Sequence, residues 1–248
     1  MDCGSLTAMV PDRSTPVEAA GPPKSGFPAT AAFFDLDKTL IARSSTLAFG
    51  PQFYRHGLLS RTDMVRGAVA QFRYRLSGAD HRQMEKLRTQ VGKACQGWPA
   101  DRVAEIVSHY LTDLILPYVY AEGRALLSQH RGAGQDVVIV STSGEEVVAP
   151  IGALLGAHSV IATRMRIADG RYTGEMECYA YGEEKAVQVR RLAAERGYSL
   201  PDCYAYSDSV TDLPLLEAVG HPRVVNPDRA LRRVATARDW PVLSFSTV

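Results

Sequence analysis

Apolar positions along this chain follow two rhythms. The first is the short run with few or no polar interruptions, at 31–34, 136–141, 203–207 and 223–225. Runs of that kind predict strands buried on both faces, as in a parallel sheet. The second is a recurrence every three or four residues. It predicts helices over 47–54, 64–76, 84–95, 103–116, 120–130, 145–155, 183–196, 213–219 and 228–237. Two more strand-like runs, 160–166 and 171–177, flank Asp169-Gly170, a pair whose turn chemistry predicts a hairpin. Gly197 and Gly220 stand where helices should end, Pro214 sits in a first turn, and Pro150 should bend its helix without breaking it. Strands that alternate with helices predict an α/β fold, its sheet parallel in the core with helices on both faces.

The spacing of these elements predicts the domain organisation. About a hundred residues separate the first two core strands, whereas a parallel crossover needs only a dozen or so and a helix. A four-helix unit is therefore expected to be inserted at 44–118, with the core formed by 30–43 and 119–248. Residues 1–29 are rich in Pro, Gly, Ser, Thr and Ala without apolar periodicity. They predict a flexible tail, because little buried surface is there to offset the entropy of ordering it.

Composition narrows the function. A hydrophobic share of 46% and a charged share of 22% fit an ordinary soluble protein. A net charge of +1 gives no global attraction to nucleic acid or to an anionic membrane. Residues 55–105 hold ten Lys/Arg against five Asp/Glu; most would be solvated helix faces, with Arg66, Arg73 and Arg75 as candidates to greet an anionic substrate. Cys3, Cys95, Cys178 and Cys203 are scattered, without metal-ligand spacing, and read as free thiols of a reducing compartment. No run reaches the ~20 apolar residues that span a bilayer, and no signal-peptide core follows the first residues. The expectation is a cytoplasmic monomer or homodimer without nucleic-acid partners.

The candidate chemistry lies at the ends of the strands. Asp35 and Asp37 follow the first strand; residues two apart on an extended chain point the same way, so both carboxylates can share one space. Like charges that close require a cation such as Mg²⁺, a shared proton or a splayed loop. Ser141 and Thr142 end the second core strand, and Asp208 ends the strand after Cys203, with Asp212 one turn further on. Lys185 opens a helix directed to the same side. In an open parallel sheet, ligands bind at that edge.

Together these groups meet the needs of phosphoryl transfer. Asp35 would be the nucleophile, forming an aspartyl-phosphate. Asp37 would protonate the leaving alcohol and then activate water. Ser141 with the backbone N–H groups after it, from Thr142 on, would hold phosphate oxygens, and Lys185 would balance developing charge. Asp35, the backbone carbonyl of Asp37, and Asp208 would supply oxygen ligands to Mg²⁺; Thr39 and Asp212 would support them. Each residue has an ordinary alternative. Asp-x-Asp can be a solvated turn, Ser141 a turn residue, Lys185 a surface lysine and Asp208 a helix cap. Their order and their shared position at strand ends favour the site.

The set resembles the haloacid dehalogenase superfamily of aspartate-nucleophile phosphohydrolases, over about residues 31 to 236. Asp35-Leu36-Asp37-Lys38-Thr39 is similar to its first motif, Ser141 to its second, Lys185 to its third, and Ser207-Asp208 with Asp212 to its fourth. The insertion resembles the helical cap of the phosphoserine-phosphatase-like branch. Within that branch, Ala205 to Ser209 and Gly170 to Gly174 are similar to a bacterial group of poorly defined specificity. The resemblance implies a Rossmann-like doubly wound core, Mg²⁺, and a cap that closes over the substrate. Two departures stand out. Ser207 replaces a common Gly. Ser44 stands where phosphoserine phosphatases carry a Glu for the substrate amine, and Lys38 replaces a Ser. A neutral hydroxyl cannot give an ammonium the same charge-assisted contact, so the expected substrate is a small or lipid-like phosphate ester other than phosphoserine.

Other readings use the same residues. A phospho-acceptor receiver also combines Asp, Mg²⁺, Ser/Thr and Lys, but Asp37 would promote hydrolysis where a receiver must retain its phosphate. A phosphotransferase would differ only in the acceptor alcohol. Dehalogenation leaves Asp37 and Asp208 without a purpose.

Overall fold

The computed structural model describes residues 29–60, Thr62 and residues 81–248, with backbone only for 81–87. Residues 1–28 of the expected tail, the helix expected at 64–76, and Arg66, Arg73 and Arg75 lie outside the described residues; Ala29, assigned to the tail, accepts the Ser199 N–H at 3.0 Å.

Seven strands form one sheet: β1 Ala31–Phe34, β2 Asp136–Gly144, β3 Ser159–Ala168, β4 Arg171–Cys178, β5 Tyr204–Ser207, β6 His221–Val225 and β7 Val242–Leu243. Their order is β4-β3-β2-β1-β5-β6-β7. Every neighbouring pair is parallel except β3 and β4, the hairpin. Asp169 and Gly170 both take positive φ at its turn (49° and 72°), as expected for an Asp-Gly two-residue loop. The chain leaves β1 for β2 on one side and returns to β5 on the other. Strand order thus reverses at β1, where open α/β sheets place their ligands.

Alternation along the strands explains the layers. Ala32, Phe34, Val137 and Ile139 face one side, and Ala31, Phe33, Val138 and Val140 the other; all are buried. The first face packs on α1 (Ser45–Arg55), α3 (Ala100–Ile115), α4 (Ala121–Gly132) and α5 (Glu145–Leu155) through Phe49, Ile106, Leu127 and Ile151. The second packs on α6 (Glu183–Arg196), α7 (Leu213–Glu217) and α8 (Arg229–Ala237) through Val189, Leu215 and Leu231. Period-2 strands between period-3.6 helices give this three-layer arrangement. α6 ends at Gly197 in the left-handed conformation, and Asp228 caps α8 by accepting from the Leu231 N–H at 2.8 Å. α5 continues through Pro150.

Three of the described α-helices between β1 and β2 lie within residues 44–118: α1, α2 (His81–Cys95) and α3. The hairpin leans onto them. Gly97 N–H donates to Tyr172 O (2.8 Å), Tyr172 N–H to Trp98 O (3.0 Å) and Ala100 N–H to Gly170 O (2.9 Å). On α2, a Cβ at Gly92 would stand 2.3 Å from the Gly174 carbonyl oxygen, so this approach of two backbones admits only glycine. No helix among the described residues is long and apolar enough to cross a membrane.

Candidate active site

β1 ends where the carboxylates begin. The Asp35 N–H donates to Tyr206 O at 2.9 Å, extending the β1–β5 ladder by one residue. The next three residues turn tightly: Lys38 takes φ 68°, and Leu36 O accepts from Thr39, Leu40 and Ile41. That turn keeps Asp37 beside Asp35 and directs its carboxylate toward α1 and β2. Its Oδ1 accepts the Ser45 N–H at 2.9 Å, and its Oδ2 faces the Ser143 hydroxyl at 3.4 Å. Ser143 also accepts the hydroxyls of Ser45 and Thr46, each at 2.9 Å.

Lys185 is the electrostatic centre. Its side chain is 2% exposed, and its Nζ lies 2.7 Å from Asp35 Oδ1 and 2.9 Å from the Asp212 carboxylate. Asp212 in turn accepts the Ser207 hydroxyl at 2.7 Å. Ser207, at the position where a Gly is common, therefore anchors the carboxylate that holds the lysine. Burial alone would discharge an ammonium, but Asp212 and Asp35 overcome it and hold the Lys185 pKa above its ordinary value.

The remaining carboxylates are under strain of charge. Burial, only partly countered by Lys185, pushes Asp35 up to about 7. Burial, reinforced by Asp35, pushes Asp208 up to about 8. Asp37 is also raised, again by burial. Thr39 offers its hydroxyl to Asp208 at only 3.5 Å.

Of the residues predicted from sequence, Asp35, Asp37, Ser141, Thr142, Lys185, Asp208 and Asp212 all line one cavity, and Thr39 is buried beside Asp208. Ser141 is 2% exposed and its hydroxyl accepts the Ser143 N–H at 3.2 Å. Thr142 is committed differently: its hydroxyl donates to Ala180 O at 2.9 Å. Among the described residues, no group of three or more His, Cys, Asp or Glu side chains is arranged to hold a metal. The donor set Asp35, Asp37 carbonyl and Asp208 needs only two carboxylates, and two buried, mutually repelling carboxylates fit a hard divalent cation between them.

Sequence reasoning passed over two features. Ser143 lies two residues beyond Ser141 on one strand, the same spacing that paired Asp35 with Asp37, so the signal was present. The second is the apolar part of the cavity, whose whole volume is about 430 Å³; it extends past the carboxylates between Phe53, Trp98, Val103, Met165, Tyr172 and Met176. Its wall comes from separate segments, and no local pattern announces it.

Comparison with known proteins agrees with this geometry. Residues 32–217 match the family model of haloacid dehalogenase-like hydrolases. The chain is 58% identical over 219 residues to the "inhibition of morphological differentiation protein" of Streptomyces azureus, covering 88% of this chain and 79% of that one. It is 57% identical over 217 residues to a probable phosphatase of Mycobacterium tuberculosis, covering 88% and 76%. A crystal structure of a Bordetella pertussis protein of unknown function superposes with TM-score 0.74 at 31% identity, over 88% of this chain and 99% of that one. With the motif residues gathered at the strand ends, the chain belongs to the haloacid dehalogenase-like hydrolases, and within them it is an enzyme of the phosphatase kind.

Proposed function

We propose that this chain hydrolyses phosphomonoesters with Mg²⁺ through an aspartyl-phosphate on Asp35, and that its substrate is a small or lipid-like ester other than phosphoserine. The observation that carries the reading is the Lys185 bridge, 2.7 Å to Asp35 and 2.9 Å to Asp212, buried in the cavity's polar floor. A buried ammonium between two carboxylates keeps one of them ionised in a site that would otherwise protonate it.

Lys185 holds Asp35 Oδ1, which leaves Oδ2 to attack phosphorus. The burial that raises Asp37 lets it keep a proton for the departing alkoxide. In the second half-reaction the same carboxylate takes a proton from the water that attacks the phospho-enzyme. The Ser45 N–H and the Ser143 hydroxyl hold it in place for both steps. Ser141 and the backbone after it face the phosphate oxygens. Mg²⁺, when bound by Asp35, the Asp37 carbonyl and Asp208, neutralises charge on the transferred group. The helices at 44–118 act as a cap on a core made by 30–43 and 119–248. Ser44, at the start of α1, brings no carboxylate to the cavity, which argues against an ammonium held there.

The test is phosphate release from a panel of esters with Mg²⁺ or EDTA, for wild type and Asp35→Asn. Metal-dependent release lost by at least a thousandfold in the variant is expected. Turnover by pure Asp35→Asn protein at wild-type rates would sink the nucleophile assignment.

A further inference from the structure

The cavity that begins at Asp35 and Asp37 continues into a chamber whose chemistry differs from its floor. Phe53, Val103 and Tyr172 are buried there with Trp98, Met165 and Met176 around them. Some of the polar groups at its border have partners within the wall. The Thr163 hydroxyl donates to Thr142 O at 2.7 Å and accepts the Ala180 N–H at 3.3 Å. Arg88 lies over the Tyr179 ring at 5.5 Å. Glu146 Oε2 turns back toward Gly144, 3.4 Å from where a Cβ there would stand, at the N-terminus of its own helix.

A sugar, inositol or amino-acid phosphate carries several hydroxyl or charged groups beyond its phosphate. Each loses water on entering such a chamber and needs a partner, which the side chains of Phe53, Val103, Met165 and Met176 do not offer. An alkyl, acyl or aryl body needs none, and the thioethers of Met165 and Met176 adapt to its shape. The cavity of about 430 Å³ corresponds to roughly fourteen water volumes of ~30 Å³ each, and so to a phosphate with about ten carbons.

Resting on the proposed phosphatase reading, we infer that the substrate is an amphiphile: a phosphomonoester whose apolar body fills the chamber between Phe53, Trp98, Val103, Met165, Tyr172 and Met176. Two measurements test this and separate it from the reading it rests on. The first is kcat/KM of the Mg²⁺-loaded wild-type chain for n-alkyl phosphates from methyl to dodecyl, beside glucose 6-phosphate and phosphoserine. A gain approaching about fourfold per buried methylene is expected, levelling near ten carbons. The second is calorimetric binding of the matching n-alkyl phosphonates below their micelle concentration, which needs no turnover. A rising affinity without hydrolysis of any ester would uphold the chamber and overturn the phosphatase reading. Hydrolysis with a flat chain-length series, or with glucose 6-phosphate or phosphoserine preferred, would overturn the amphiphile and keep the phosphatase. Met165→Glu, which puts a charge into the wall, is expected to flatten the phosphonate series to less than twofold per methylene; a series as steep as wild type also overturns the inference. Lysophosphatidate assayed beside the series separates the sources: a kcat/KM above that of decyl phosphate would identify a lipid, and one below it a free single-chain ester.

Discussion

The Ser143 hydroxyl lies 3.4 Å from Asp37 Oδ2 while accepting hydroxyls from Ser45 and Thr46 at 2.9 Å each. One serine of the sheet thus joins the first inserted helix to the proposed acid–base group. Ser143→Ala removes a hydrogen bond to a carboxylate and should lower kcat about tenfold with little change in KM. Ser143→Thr, which keeps the hydroxyl, should recover most of it. A Ser143→Ala enzyme that loses thermal stability but no kcat would make the contact merely structural.

Lys185→Met leaves Asp35 and Asp212 facing each other in a buried space. The expected loss is about 3–5 kcal/mol, the usual cost of stranding buried charge, read from urea unfolding at pH 8. Asp35, already raised by burial, can relieve the repulsion by taking up a proton, so the loss should shrink at pH 5. An equal loss at both pH values would contradict the ion-pair account.

Asp208 is buried, raised to about 8, and repelled by Asp35. Neutralising it should help the metal-free fold: Asp208→Asn in EDTA should melt about 2–4 °C higher, equivalent to about 1 kcal/mol for a chain of this size. Mg²⁺ should raise the melting temperature of wild type and not of the variant. If Mg²⁺ shifts both alike, Asp208 is not a ligand.

His130 packs against Phe34 and meets the Tyr206 hydroxyl at 2.8 Å. Burial, with Arg223 nearby, lowers its pKa in the fold. The folded state therefore disfavours the imidazolium, and the stability of the neutral form is lost as pH falls below about 6.5, the unfolded value. Asp35 and Asp208, raised in the fold, act in the opposite direction. The difference between the melting curves of wild type and His130→Phe isolates the histidine: it should change between pH 7.5 and 5.5, with wild type losing more.

Much of this architecture was legible in the chain. Local rules settle strands such as 31–34 and helices such as 183–196 with its terminal Gly197, and they bring Asp35, Asp37, Ser141, Lys185, Asp208 and Asp212 to one sheet edge. β7 went unread because Val242–Leu243 is two residues long, too short for any period. Where the Thr142 hydroxyl turns was illegible locally: it donates to Ala180 O, a partner 38 residues away. The chamber was illegible for the same reason on a larger scale. Phe53, Trp98, Met165 and Met176 each satisfy an ordinary core pattern, and only tertiary packing places them around one space.

The seam between the hairpin and the inserted helices has a kinetic consequence. Three backbone hydrogen bonds and the Gly92–Gly174 contact fasten that wall to the sheet, so it cannot swing away without tearing a strand pair. On the opposite side, α1 meets the sheet through the buried Phe49 and through the hydroxyls of Ser45, Thr46 and Ser143. An opening on this side would part Asp37 from its own hydrogen-bond partners, Ser45 and Ser143. Each opening for product release would then wet and reset the proton donor, tying the traffic of molecules to the readiness of the next turnover.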